Sequence, residues 1–378
     1  MKMKKIIKFV SFVLIVCVIV TGLNCFMSTT SDRDTMHIKG YFKEPKNTID
    51  VLLIGASELY TGFNSPLAWS EFGFTSYSIC FAAQPGNLCA NMLSKALETQ
   101  SPKLTAIEIN GFLRHNSPKQ DYCKMHTWFD NVGVDDDGKA YIEKNVPQEM
   151  RNEYLYPFYK YHSNWKTPSV CIKNFFCRLF LAFNGVNYTK SFANTNLTRK
   201  DGKIKEYKSN FNDKARQALV DTLELCKSRG LKQVVFFRTP HCLKNTNAED
   251  FEKIKSLVES YGYVYANFET SLAEIGLDAK DDFYNTDHLN IYGMEKNTRF
   301  LAKYFTEHFD VKSIHSAQTV KQWNRCAELT AEISEECKND KKHHIYYELS
   351  AYERAANIPY SISFISTIDD REQSKKNS

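Results

Sequence analysis

Apolar and polar positions along this chain fall into three regimes. Residues 9–27 are almost wholly apolar and follow a basic flank of Lys2, Lys4, Lys5 and Lys8. That length approaches the ~20 residues a helix needs to span a bilayer. The lysines argue for an N-terminus that stays in the cytoplasm while the remainder is exported. A cleavable signal peptide is the alternative, but its small-x-small site does not follow cleanly: the exit reads Gly22-Leu23-Asn24-Cys25-Phe26. Asn24 also stands where a lipoprotein cysteine at Cys25 would want a small residue. The expectation is therefore an uncleaved signal anchor, with residues 1–8 cytoplasmic, 9–27 transmembrane, and the bulk of a single-pass cell-membrane protein outside the cytoplasm.

Residues 28–47 are polar and read as a stalk. From residue 48 short apolar runs alternate with helical periodicity. Strands are expected at 51–54, 75–82, 104–110, 233–237 and 263–268. Helices are expected at 88–97, 212–229, 248–261 and 292–309, the middle two closed by Gly230 and Gly262. Alternating strands and helices joined by right-handed crossovers predict an α/β fold with a doubly wound parallel sheet, a flavodoxin-like three-layer α/β/α sandwich over residues 48–310. Within it, residues 111–211 break the pattern and read as an insertion of loops and aromatic residues. Beyond residue 311 comes an extension with a helix at 319–337, a strand at 359–366 and a charged, disordered end at 369–378.

Composition narrows the function. At 378 residues, 43% hydrophobic and 13% aromatic, the chain can bury a large core. The formal charge of +5 is small for this length and partly lies in the anchor, which speaks against nucleic-acid binding. The eleven cysteines show no zinc spacing, so no metal and no cofactor is expected. Cys17 and Cys25 fall in the anchor and leave an odd number outside, which predicts buried thiols rather than a disulfide framework.

The chemistry sits at the two ends of the α/β region. Residues 49–60 read IDVLLIGASELY, which places Ser57 just beyond the carboxyl end of a buried strand, where open α/β sheets hold their active sites. A serine that only caps the next helix is the bland alternative. Glu58, next to the serine, could contribute charge to such a site; the alternatives are a solvent-facing residue or a helix-start residue favoured by the dipole. Residues 283–293 read FYNTDHLNIYG, with His288 in a polar loop before the last helix of the domain.

These two blocks resemble the SGNH/GDSL hydrolase family, whose first block is Gly-Asp-Ser and whose last is Asp-x-x-His. Gly55-Ala56-Ser57 carries alanine in the aspartate position, and Asn285-Thr286-Asp287-His288 carries asparagine where the triad acid is expected. The resemblance covers about residues 49–309 and implies a serine nucleophile, Ser57, with His288 as its base. It implies an oxyanion hole drawn from Ser57, the block around Cys80 and Ala82, and the side chain of Asn110. Asn285 can hold the imidazole but supplies no charge. Three alternatives follow: a Ser57–His288 dyad, a rescuing acid (Asp282 before Asp281 or Asp287), or a non-catalytic relative. Residues 159–166, YKYHSNWK, offer His162 and Trp165 for stacking on sugar rings, with an aromatic lid on the core as the alternative. Membrane-anchored relatives linked to cell-envelope polymers carry a similar stretch. The resemblance thus implies an esterase or O-acyltransferase acting on acyl, such as acetyl, groups of an envelope glycan. The competing expectation is a glycan-binding or scaffolding protein that has lost efficient catalysis.

Overall fold

The computed structural model describes residues 2–27, 32–113, 117–169, 171–172, 175, 187–348 and 350–351. They form two compact units. One comprises Met1–Thr35 with Met125–Gly185, and the other Met36–Lys124 with Val186–Ser378.

The second unit is built on parallel strands. In chain order these are β1 (Val51–Gly55), β2 (Ser76–Cys80), β3 (Leu104–Glu108), β4 (Lys205–Tyr207), β5 (Val234–Arg238), β6 (Leu243–Asn245) and β7 (Val264–Asn267). Among the described residues, five of them make one all-parallel sheet in the order β2-β1-β3-β5-β7, and β4 pairs with β6 in a separate ribbon. β1, β2, β3 and β5 are buried along their whole length; β1 and most of β5 read as apolar runs, whereas β2 and β3 bury Ser76, Ser78 and Thr105 as well. β7 closes one edge and leaves Val264 and Asn267 exposed. The helices fall into two packing groups. Cys89–Ala96 lies against Asp213–Ser228, whereas Ser65–Phe72 lies against Ile291–His308 and Ala317–Asn339. Asn212 starts the Asp213–Ser228 helix by accepting the Ala215 N–H at 3.0 Å.

The end of β1 is where the sheet meets the site, and it tolerates only glycine. A Cβ on Gly55 would fall 2.8 Å from Glu108 Cβ on β3 and 2.9 Å from Leu59 Cδ1. That closeness lets the chain turn straight from β1 into the Ser57–Gly62 helix while packed against the end of β3.

Three expectations need correction. The polar stretch 28–47 contains a helix, Asp32–Tyr41, with Met36, Ile38 and Tyr41 fully buried and the Tyr41 hydroxyl donating to the Ala96 carbonyl at 3.0 Å. Its charged residues hid apolar contacts that only the tertiary structure uses. Residues 111–211 are not mainly loops: they hold the helices Pro118–Val132, Asp136–Asn145, Arg151–Leu155 and Pro157–Tyr161. The C-terminal extension is integral to the second unit as far as Ala351. Ile333, Cys337, Tyr346 and Ala351 form one apolar cluster with Phe192, Ile291 and Met294. Glu348 accepts the main-chain N–H groups of Tyr188 and Thr189, each at 2.6 Å. The buried Lys190 ammonium bridges to Glu44 at 2.5 Å and lies 4.8 Å from the centre of the Trp323 ring. The strand expected at 359–366 and the disordered end at 369–378 lie outside the described residues.

In the first unit, His126 stacks on Tyr154 with ring centroids 3.8 Å apart. The Lys2–Met27 helix contains a stretch, Met3–Asn24, that is long and apolar enough to cross a membrane, with a mean hydropathy of 2.7. A signal sequence has the same character. Cys89, Cys226, Cys326 and Cys337 are buried free thiols, and burial pushes the Cys326 thiol up to about 11.

The contact at β1 gives a first prediction. Gly55→Ala forces strand β1 away from Glu108 and should cost about 1–3 kcal/mol, the usual range for overpacking a tight interior. A urea titration of the purified chain should show a lowered midpoint with an unchanged slope.

Candidate functional site

Every strand of the main sheet delivers a polar group at its carboxyl end. Ser57 and Glu58 follow β1, Cys80 ends β2, Glu108 ends β3 with Asn110 two residues on, Arg238 ends β5, and Glu269 follows β7. Ser57 is nearly buried, at 8% exposure.

The His288 loop reaches this edge from the other end of the domain. An antiparallel bridge between Phe283 and Leu289 closes it, and the Tyr284 N–H donates to the His288 carbonyl at 3.1 Å. The Tyr284 ring stacks on the imidazole, 5.3 Å between centroids and 7° from parallel. Asn290 then starts the Ile291–His308 helix, its Oδ1 accepting from Tyr292 and Gly293 N–H, each at 3.1 Å. His288 Nε2 lies 2.7 Å from Ser57 Oγ, across 231 positions of sequence. On the far side of the ring, Nδ1 lies 3.0 Å from Asn285 Oδ1. That oxygen also accepts the N–H groups of Asp287 and His288, each at 2.9 Å. Three donors converging on one oxygen fix the amide orientation. Nδ1 therefore carries its proton toward Asn285, and Nε2 presents a lone pair to the serine hydroxyl.

Of the rescuing acids considered for the histidine, Asp282 and Asp287 are engaged elsewhere. Asp282 is buried, and its Oδ2 accepts from Lys296 Nζ and from the Asp278 N–H, both at 2.7 Å. Asp287 Oδ2 accepts the Thr286 hydroxyl at 3.0 Å, and the Asp281 carbonyl accepts from Asn290 Nδ2 at 2.6 Å. The Asp281 contact is through its main chain, so only the Asp282 and Asp287 carboxylates are engaged by these bonds, and the atom facing His288 Nδ1 belongs to Asn285.

The negative charge sits instead on the serine side. Glu58 is not solvent-facing: it is 4% exposed, with Oε2 at 3.5 Å from Ser57 Oγ. Its Oε1 accepts from Asn110 Nδ2 and faces His241 Nε2 at 3.9 Å. Burial works against the charge, but His241, His288 and Arg238 together hold this carboxyl well below the usual carboxylate range. The expected oxyanion donors fare differently. The Asn110 amide is committed to Glu58, and Cys80, expected to offer its main-chain N–H, is the buried last residue of β2, in register with Gly55 of β1. His162 and Trp165 belong to the other compact unit, in the short helix His162–Lys166.

Behind Glu58 lies an ionic core. Arg238, fully buried, donates to Glu108 Oε1 and to Glu269 Oε2, both at 3.1 Å. Glu108 in turn accepts the Asn110 N–H at 2.7 Å, and Glu269 accepts the Tyr207 hydroxyl at 2.7 Å and the Asn245 N–H at 3.0 Å. Burial pushes the Glu108 carboxyl up, with Arg238 opposing and Glu58 adding to the rise. His241 is oriented by Nδ1 donating to the Thr239 carbonyl at 2.7 Å. None of Glu108, Arg238, His241 or Glu269 was expected as a site residue. Glu108 and Arg238 had a signal all the same, each being a charged residue that ends a buried parallel strand; His241 and Glu269, in the segments beyond β5 and β7, had none.

Removing the guanidinium strands two buried carboxylates. Arg238→Met should destabilise the fold by about 3–5 kcal/mol at neutral pH, as when one partner of a buried pair is deleted. The deficit should narrow as the pH falls, because Glu108, whose affinity for protons is already raised, becomes neutral and no longer needs a cation. The wild-type site contributes the opposite slope through Glu58. Its depressed carboxyl stabilises the fold above the ordinary carboxylate range, and that contribution fades as the pH drops through it. Denaturant titrations of both proteins across the acid range would resolve the two trends.

No protein-family model matches the chain, and no curated protein matches it.

Proposed function

We propose that this chain is a membrane-anchored serine acyl-transfer enzyme of SGNH type, an esterase or O-acyltransferase acting outside the cytoplasm on acyl groups such as acetyl of a cell-envelope glycan. The observation that carries the reading is the 2.7 Å contact between Ser57 Oγ and His288 Nε2, with Nδ1 held by Asn285 at 3.0 Å. The strand order β2-β1-β3-β5-β7, all parallel, supports the flavodoxin-like doubly wound arrangement. Ser57 and His288 then meet at the carboxyl edge, where such folds place their ligands. The apolar stretch Met3–Asn24 supports the anchor.

In this mechanism Ser57 Oγ attacks the acyl carbon as its proton passes to His288 Nε2. The tetrahedral intermediate collapses when the alcohol oxygen leaves with the proton from Nε2, giving an acyl-serine. Water, or the hydroxyl of a second glycan, then loses its proton to Nε2 and takes the acyl group, restoring Ser57. Asn285 orients the ring through both half-reactions. The charge that balances the imidazolium comes from Glu58, beside the serine, rather than from a carboxylate beyond Nδ1.

A second reading has one observation in its favour. Asparagine occupies the acid position and the Asn110 amide is committed to Glu58, as in a site that has kept its shape for binding. Labelling of the full chain with a serine-directed fluorophosphonate separates the two. The enzyme reading expects label on the wild type and none on Ser57→Ala; equal signal from both leaves the binding protein. With a chromogenic acyl ester, Asn285→Asp should raise kcat about tenfold, which is about 1.4 kcal/mol in the barrier. The gain is modest because Asn285 is solvent-exposed, where a new carboxylate is partly screened. Glu58→Gln should lower kcat with little change in KM, since it removes charge that matters only once the imidazolium forms.

A further inference from the structure

The first unit carries a surface that soluble folding does not explain. Leu155, Tyr156, Tyr159, Trp165 and Ile172 are 39%, 59%, 61%, 66% and 47% exposed, within eighteen residues of chain. Scattered apolar side chains need no explanation, but five large ones this close in sequence, two of them with rings 6.2 Å apart, point to a surface that meets something other than water. Trp and Tyr, with an apolar body and a polar tip, favour the boundary between hydrocarbon and water.

The same segment is tied to the end of the apolar helix. Asn164 Nδ2, adjacent to Trp165, donates to the Met27 carbonyl at 2.9 Å, and the helices Pro157–Tyr161 and His162–Lys166 both pack on Lys2–Met27. The segment is also ordered internally. The Thr167 N–H donates to the Asn164 carbonyl at 2.9 Å, and the His162 ring lies 2.7 Å from the Tyr159 carbonyl. Its depth relative to a bilayer follows from helix geometry. The stretch Met3–Asn24 has 22 residues, which at 1.5 Å per residue is about 33 Å, the thickness of the hydrocarbon core. Met27 lies three residues beyond it, about 4.5 Å along the axis. The headgroup layer on each side is roughly 5–7 Å deep. Asn164 therefore holds its neighbours at headgroup level.

From this continuity we propose that Leu155, Tyr156, Tyr159, Trp165 and Ile172 form an aromatic belt seated in the phospholipid interface of the leaflet from which Met27 emerges. The proposal rests on the anchor reading above. The belt would fix the depth and tilt of the first unit on the bilayer, which a single helix alone leaves free. Lys166 on the same segment is exposed and can extend its ammonium group toward lipid phosphates while its stem stays in the interface, whereas the Lys160 ammonium lies 3.9 Å from Asp130 and over the Tyr161 ring. The expected sugar-stacking role for His162 and Trp165 becomes the competing occupant.

The test uses the full chain in phosphatidylcholine vesicles whose acyl chains carry bromine, a contact quencher of tryptophan emission. The chain has four tryptophans, none in the apolar helix, and Trp128 and Trp323 are buried. The proposal expects brominated lipid to quench the wild type and Trp165→Phe to lose most of that quenching. Adding Tyr159→Trp to Trp165→Phe should bring it back. Equal quenching of wild type and Trp165→Phe overturns the belt, as does wild-type emission that ignores bromolipid and shifts with soluble envelope glycan. An alkaline carbonate wash distinguishes the two layers of the argument. A chain retained in the vesicles with no Trp165 quenching removes the belt alone, whereas a chain that washes off removes the anchor and the belt with it.

Discussion

At the carboxyl edge of the sheet three carboxylates are closed off from water around one guanidinium. Glu108 and Glu269 both lean on Arg238 at 3.1 Å, and Glu58 sits one layer nearer the surface. Charges in such a place are costly to bury, and attraction offsets that cost only when nearly every lone pair is used. Here the carboxylates also take main-chain N–H groups of Asn110 and Asn245, so the ionic core dictates the path of the segments after β3 and β5. The serine helix is positioned in turn, because Glu58 reaches back to Asn110. Geometry at Ser57 is thus inherited from an ion cluster deeper in the fold, rather than from the loops that surround it.

The resulting site is asymmetric. A serine hydrolase usually sets its carboxylate behind the histidine, where it steadies both tautomer and charge. In this chain the two tasks are divided. Asn285 fixes the tautomer through a crowded carbonyl oxygen, and Glu58 supplies the negative field from the serine side. Coulomb attraction cares about distance and dielectric rather than about which face of the ring it acts on, and Glu58 has the better dielectric of the two because it is buried. In the proposed acyl transfer, a carboxylate 3.5 Å from Ser57 Oγ favours proton transfer to His288 and disfavours a second negative charge beside it.

Much of the architecture was legible because it rests on patterns local in sequence. Buried parallel strands such as β1 betray themselves as apolar runs, and Asn212 and Gly230 bracket a helix in the ordinary way. Ser57 and His288 were legible for a related reason, since each stands at a strand end or helix start that can be recognised without knowing its partner. Glu58 was misjudged because its burial is imposed by Asn110, 52 residues away, and by His241 beyond that. The helix Asp32–Tyr41 escaped notice because its buried face is read by the domain and not by its own composition. The helices of residues 118–161 were missed because irregular aromatic spacing obscures their period.

Ser57 and His288 stand 231 positions apart, and the helix that follows the histidine packs with the C-terminal cluster that ends at Ala351. A ribosome has therefore made nearly the whole described chain before these two side chains can meet. A product broken off earlier holds Ser57 without the imidazole that faces it in the whole fold, so the pairing of the two reports on how much of the chain has been made.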